Sequence, residues 1–405
     1  MERPTRTGQV RGAIVSLRLV SALLGGVACS DQNSLGPRAP DANETGPALA
    51  SSAAAALSFR QIVAAVSHSC GVTTANVAYC WGNNENGQLG DGTFTQRLRP
   101  VPVLGGLQFR AVSAGSDHSC GVAINNQAYC WGGSASGGLG NGSFRGSRKP
   151  VLVAGGLSFS QVSAGSQHTC GVTTDSRLYC WGSDNRFGQI GDGTTEDRLS
   201  PVAVSPGRSF RQVSAGEAHT CAVTTSSRAF CWGHNRSGKL GDGSQVTRLL
   251  PVAVASTLRF RQVAAASSHT CAVTPTDRAF CWGYGGDGQI GEGKTTDRHS
   301  PRAVAGGLSF SRVSVGSVHS CGTTTENRAY CWGGNHAGQV GDGTTVRRLL
   351  PVPVAGSLRL GQLNGGGGRS CGVTTGSVGY CWGAGLLGDG TTNGSLIPVR
   401  VLGPA

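Results

Sequence analysis

The stretch HTCAVTTSSRAFCWG, residues 219–233, sets two cysteines ten positions apart inside two short runs rich in Val, Thr and aromatic residues. Such runs, broken by a small polar cluster, read as two strands joined by a tight hairpin. If Thr224 faces Arg228, the loop is Thr225-Ser226-Ser227, and a three-residue loop commonly puts its last residue in the left-handed region. That register places Cys221 directly opposite Cys231, on one face with Val223 and Ala229. The other face pairs Thr220 with Trp232 and Ala222 with Phe230. Both faces are largely apolar, so neighbouring layers have to cover both.

The arrangement recurs. Beyond Cys29, the cysteines fall in seven pairs: Cys70 and Cys80, Cys120 and Cys130, Cys170 and Cys180, Cys221 and Cys231, Cys271 and Cys281, Cys321 and Cys331, Cys371 and Cys381. The period is 50, with a single 51. All seven tryptophans follow the second cysteine directly, from Trp81 to Trp382. Each CWG leads into a glycine-rich loop such as GQLGDGT, then a Pro-led apolar run such as PVAV, then the next FRQVSAG-like run. In the fourth repeat the strand candidates are 209–215, 219–224, 228–233 and 251–255. The left-handed loop positions are Asn76, Asn126, Ser176, Ser227, Asp277, Asn327 and Ser377, residue types that tolerate it unequally. A period of this length marks propellers, solenoids or arrays. Stacked four-stranded blades around an axis cover both faces of each sheet, and seven near-equal copies suit a closed ring. The expected fold is all-β: a seven-bladed β-propeller of four-stranded antiparallel blades over residues 57–405, with one intra-hairpin disulfide per blade.

Two other uses of the cysteines stay open at this level, reduced core thiols and zinc. His219, Cys221 and Cys231 could converge on a metal. The seventh repeat, however, has Arg369 in place of the histidine and keeps both cysteines. No metal and no cofactor are therefore expected. The N-terminus favours oxidation: Arg3, Arg6, Arg11 and Arg18 precede the uncharged run LVSALLGGVA, as in an export signal over residues 1–28. Cys29 after GVA resembles the lipid-attachment cysteine of a bacterial lipoprotein, with plain secretion as the alternative. Residues 29–56 lack any apolar pattern and read as a flexible linker.

With CWGxNxxGQLGDGT and HTCAVT in view, the chain resembles the regulator of chromosome condensation repeat family over residues 57–405. The resemblance implies a seven-bladed propeller, and the paired cysteines look like those of exported bacterial members. The seventh unit departs from the pattern, with GAGLLGDG at 383–390 three residues short, and the second drifts to GGLGNG at 137–142. The family's best-known member is a guanine-nucleotide exchange factor that uses a wedge between repeats. The unbroken 50/51 spacing here leaves no room for one, and an exported protein would not meet a cytosolic GTPase. A secreted relative inhibits β-lactamases, so inhibition of a secreted enzyme is a concrete subtype.

Charge is basic overall, +13 formally, and carried by 31 Arg against 3 Lys. Its recurrence at Arg177, Arg228, Arg278 and Arg328 is expected to spread it around the object as a solvated surface, with no nucleic-acid partner. His68, His118, His168, His219, His269 and His319 are repeat-equivalent, so a structural role outweighs a catalytic one, and an axial pH-sensing ring is the sharper alternative. Asp91, Asp192, Asp242, Glu292, Asp342 and Asp389 sit in the glycine turns, within reach of Arg97, Arg198, Arg248, Arg298 and Arg348. No phosphate-loop lysine, nucleophile elbow or HExxH motif occurs, and no enzymatic activity is expected. What varies is the loop after CWG. If these loops gather at one end of the ring, Arg186, Phe187, His234, Arg236, Tyr284 and His336 are candidates to bind a partner. The expectation is a protein partner met outside the cytoplasm. A glycan is the alternative, and a membrane enters only through the lipid anchor.

Overall fold

The computed structural model describes residues 56–133 and 137–404. The expected signal, Cys29 and all but the last residue of the expected linker lie outside them. Seven four-stranded sheets follow one another along the chain, each taken from a single repeat and each in sequential strand order. In the fourth blade the strands are Phe210–Ala215, His219–Thr224, Ala229–Gly233 and Arg248–Ala253. The outer strand begins earlier than Pro-led apolar runs suggest. Arg248 pairs with Gly233, and the strand passes through Pro251. An edge strand tolerates Pro, whose missing N–H faces no partner. Pro100, Pro150, Pro201, Pro251, Pro301, Pro351 and Pro398 hold the same place in all seven outer strands. They blunt the edges against further pairing.

The hairpin register is the one the sequence implies. Cys221 pairs with Cys231, Thr220 with Trp232, Ala222 with Phe230 and Val223 with Ala229. Thr224 N–H donates to Arg228 O, which makes that pair the hydrogen-bonded one. Strict alternation then makes the cysteine pair a non-hydrogen-bonded one, where side chains approach more closely. Every cysteine pair is a disulfide within its own hairpin. Cys70 is bonded to Cys80, Cys120 to Cys130, Cys170 to Cys180 and Cys221 to Cys231. Cys271 is bonded to Cys281, Cys321 to Cys331 and Cys371 to Cys381. The Cα–Cα distances are 4.0 to 4.1 Å. The alternatives of reduced thiols and of zinc held by His219, Cys221 and Cys231 give way to this bonding, since a disulfide sulfur offers no thiolate to a metal. Each loop's last residue, from Asn76 to Ser377, has positive φ as expected.

No blade has a core of its own. One cluster combines Cys221, Val223, Ala229, Cys231, Leu240 and Val254 of blade four with Phe260, Val263, Ala272 and Trp282 of blade five. The cysteine face of one blade thus packs on the tryptophan face of the next. Cys70 and Cys80 meet Phe109 and Trp131 in the same way, Cys120 and Cys130 meet Phe159 and Trp181, and Cys170 and Cys180 meet Phe210 and Trp232. Cys271 and Cys281 pack on Phe310 and Trp332, and Cys321 and Cys331 on Leu360 and Trp382. The seventh junction closes the series, with Cys371, Cys381 and Leu387 against Phe59, Ile62 and Trp81. All seven indoles are fully buried. Each lies on a glycine of the preceding blade's turn, Trp131 on Gly90 and so around to Trp81 on Gly388.

Along the axis, side-chain amides replace strand pairing. Gln212 donates to Val263 O and accepts from Val263 N, and Gln362 makes the same clamp on Ile62. Asn364 likewise accepts from Ala64 N. The ring closes by these side-chain clamps together with backbone hydrogen bonds from Phe59 N to Ser377 O and from Gly367 N to Ala65 O, with no strand exchanged between first and last blades.

Substitution Gly241→Ala tests the indole seat. Gly241 has φ 70, and a Cβ there would lie 2.6 Å from Trp282 Nε1. The control Gly106→Ala shares a positive φ of 63 but meets nothing within 4 Å. Urea unfolding is expected to show about 1–2 kcal/mol lost at Gly106 from backbone strain alone. At Gly241 the overpacking adds about 1–3 kcal/mol more. Equal losses would refute the seat.

Candidate functional site

Strand direction sorts the loops into two ends. The loops after CWG and the turns joining first to second strands share one end, here the loop end. The three-residue hairpins and the starts of the first strands share the other, the hairpin end, where Phe210 N–H donates to Ser176 O of the preceding blade.

At the loop end, the candidates Arg186, Phe187, His234, Arg236, Tyr284 and His336 come from four consecutive blades, three to six. The structure brings the first three together. A single 3-10 turn, Asn185–Phe187, begins after Asp184 in a left-handed conformation at φ 54. It sets the Phe187 ring 4.4 Å from that of His234, with the Arg186 guanidinium 5.1 Å from the centre of the Phe187 ring. Asp184 steers Arg186 by an ion pair of 3.0 Å. Burial, then the charges of Lys239 and Arg236, lower the His234 pKa, while Glu217 raises it. Tyr284 stands 38% exposed in the next blade and covers Gly286. His336 contacts Gln339 at 3.4 Å and does not join the cluster.

Sequence reading missed Lys239. It occupies the place held by Gln in four other repeats (Gln88, Gln189, Gln289 and Gln339), a signal visible in GHNRSGK. Its side chain is buried, donates to Ser267 O at 2.8 Å, and has its pKa lowered to about 8 by burial. Glu217 stands nearby at the axial mouth and opposes that shift. The loop end thus offers an aromatic pair flanked by charges of both signs. Among the described residues no cluster of three or more His, Cys, Asp or Glu could hold a metal.

The six repeated histidines sit between blades, away from the axis. His219 Nε2 lies 2.9 Å from Thr270 Oγ1, whose single proton goes to Lys239 O at 2.8 Å. The hydroxyl must therefore accept from the imidazole, which fixes a neutral Nε2–H tautomer. The Trp282 indole donates to the same Lys239 carbonyl at 3.0 Å. The pattern runs from His68 on Ser119 to His319 on Ser370. At the junction of blades seven and one, Arg369 instead donates directly to Leu386 O, in the shortened loop. The two departures of the last repeat are thus one local rearrangement. The acidic turn residues pair as expected, Asp242 with Arg248 at 3.0 Å and Glu292 with Arg298 at 2.5 Å. Hydrogen bonds from Ser244 and Arg248 hold the Asp242 pKa low despite burial, which acts the other way.

The hairpin end corrects the expectation of evenly spread charge. Repeat-equivalent positions in a closed ring are related by rotation about the axis, so they share one end. Arg177, Arg228, Arg278 and Arg328 flank the hairpin tips of blades three to six. Arg60, Arg110, Arg211, Arg261 and Arg312 stand near the starts of first strands, and Arg208, Arg259 and Arg359 just before them. Against these twelve stand Asp175, Asp277 and Glu326, paired with Arg177, Arg261 and Arg328. The other nine form no ion pair among the described residues.

The model of the RCC1-like domain matches residues 26–321, and that of the regulator of chromosome condensation (RCC1) repeat matches residues 310–339. No curated protein matches. Human WBSCR16 superposes with a TM-score of 0.72 at 20% identity, covering 78% of this chain and 87% of that one. Yeast RCC1 (Prp20), solved with Kap60 bound to it, gives 0.71 at 19%, covering 85% of each. The ectodomain of the Arabidopsis thaliana receptor kinase ACR4 gives 0.52 at 22%, covering 82% and 93%. At these identities the likeness is one of fold.

Acid should destabilise the ring. Burial lowers the pKa of His68, His168 and His269 to about 3, and of His118 and His319 to about 4, and that of His219 well below the ordinary 6.5. Between those values and 6.5 the unfolded chain binds up to six more protons than the folded one. Stability is therefore full above pH 6.5 and falls as pH drops toward 4. The expected result is a Tm flat from pH 8 to 7 and falling steadily below about 6. An unchanged Tm down to pH 4.5 would contradict the buried neutral relay.

Proposed function

The chain belongs to the RCC1-like domain family, and on that premise we propose that it is a non-enzymatic protein-binding propeller that acts outside the cytoplasm through its loop end. The observation that carries the reading is the Arg186–Phe187–His234 cluster. It is an irregular, partly exposed aromatic group set on an otherwise repetitive rigid ring. Aromatic and Arg side chains on such a frame make effective anchors, because little entropy is lost on binding. Tyr284 extends the surface across the next blade.

Family relatives support a protein partner. Yeast RCC1 (Prp20) is seen bound to Kap60, and Prp20p has binding properties to Gsp1p and histones. Seven disulfides belong to a non-reducing compartment. The likeness to a receptor ectodomain fits such a setting. Residues 1–28 serve as the export signal and Cys29 as the lipid attachment site in this reading. Inhibition of a secreted enzyme is its narrower form. Guanine-nucleotide exchange is disfavoured, since the repeat spacing leaves no room for an inserted wedge.

The test compares the oxidised chain with its Phe187→Ala/Tyr284→Ala variant as immobilised bait for extracellular proteins, quantified by mass spectrometry. The wild type should retain a protein that the variant loses by about tenfold or more, as hot-spot truncation implies. Equal retention by both, or retention of glycan alone, would overturn the proposal.

A further inference from the structure

The hairpin end is chemically unlike the loop end, and nothing in the loop-end reading accounts for it. Nine of the twelve net positive charges of residues 57–405 lie there. Ten of its twelve arginines are exposed and the other two half-buried. The hairpin arginines of blades three to six are rotational equivalents, so they stand at one level as an arc, and Arg60, Arg110 and Arg312 around the axis extend it into a basic disc. The chain also enters the propeller here, because the first strand, Phe59–Ala64, starts at this end. In the sequence, Cys29, read above as the lipid attachment site, precedes this entry point.

We infer that the hairpin end docks on an anionic lipid surface. Guanidinium groups suit phosphate headgroups, which they grip through a planar fork of donors. A basic face on a chain acylated at Cys29 supplies the second signal that stable peripheral membrane binding needs, since one lipid chain alone holds only marginally. A disc of one level matches a planar surface better than it matches a groove-bound strand. The nearby Phe230 and Phe280 rings are capped by Arg208 and Arg278 at 4.5 and 5.8 Å, so neither is free to stack on a nucleic-acid base. With this end on the membrane, the loop end faces away and stays free for a partner. The basic residues differ from those of the loop-end proposal and are tested separately; only the companion lipid anchor at Cys29 rests on that reading.

Flotation of the full oxidised chain with vesicles of phosphatidylcholine, with and without phosphatidylglycerol, tests it. Because both variants below keep the same N-terminal segment, any difference between them reports the propeller. Arg228→Glu/Arg278→Glu/Arg312→Glu removes charge from the disc. Arg145→Glu/Lys149→Glu/Lys294→Glu makes the same charge change away from it. Retention of seven disulfides and of the wild-type near-ultraviolet dichroism checks folding in each, and an Arg→Gln triple at the disc positions gives a milder second variant. The wild type should bind phosphatidylglycerol vesicles preferentially and be released by salt. At about fivefold per basic residue near an anionic surface, the disc variant should lose about 100-fold or more, and the other triple far less. Equal binding to both vesicle types, or equal loss in both triples, would overturn the inference. Binding of dextran sulfate or duplex DNA in preference to vesicles would overturn it too, reassigning the end to a soluble polyanion.

Discussion

Each blade is apolar on both faces, and this constraint shapes everything else. A four-stranded sheet with one wet face could fold alone. Here the cysteine face of every blade needs the tryptophan face of the next, and the seven hydrophobic clusters all straddle a blade junction. The cover is complete only when the last blade meets the first. The seat of Trp81 on Gly388 and the clamp of Gln362 on Ile62 are therefore as important as any contact within a blade. Each disulfide lies in the middle of such a junction and ties the two central strands in the register that aligns both faces. The neutral histidine, hydroxyl and carbonyl relay satisfies the polar groups buried in the same layer.

A ring built this way separates scaffold from function. Most repeat-equivalent residues build the junctions, and the side chains left over face the two ends. At one end, loops of unequal sequence bring Phe187, His234 and Arg186 into contact. At the other, short hairpins of nearly constant conformation carry a repeated arginine. One end is suited to a particular partner and the other to an extended surface of one charge.

Much of this was legible in the amino-acid sequence. The cysteine register follows from a three-residue loop and strict alternation, so Cys221 had to face Cys231 once Thr224 faced Arg228. The left-handed positions and the acid–arginine pairs of the glycine turns are equally local, and both stand where the spacing puts them. The charge distribution was misread because linear recurrence looks like dispersion, whereas rotation about an axis turns recurrence into a single face. The start of the outer strands was misplaced because Pro was taken as a boundary, though an edge strand can run through it. The contact of Phe187 with His234 spans two blades, and Lys239 of blade four donates to Ser267 O in a turn of blade five. Such relations need the packed ring, and no periodicity encodes them. How the ring closes was likewise open until the Gln362 and Asn364 clamps were seen.

Blades that are apolar on both faces are stable only as members of a closed ring. Removing blade seven by ending the chain at Gly356 tests it most directly, with thermal unfolding followed by tryptophan fluorescence. The six-bladed chain should lose its cooperative transition and expose Trp81 and the cysteine face of blade six, even with its six remaining disulfides intact. A truncated chain that unfolds cooperatively at the full-length Tm, with its tryptophans still buried, would contradict it.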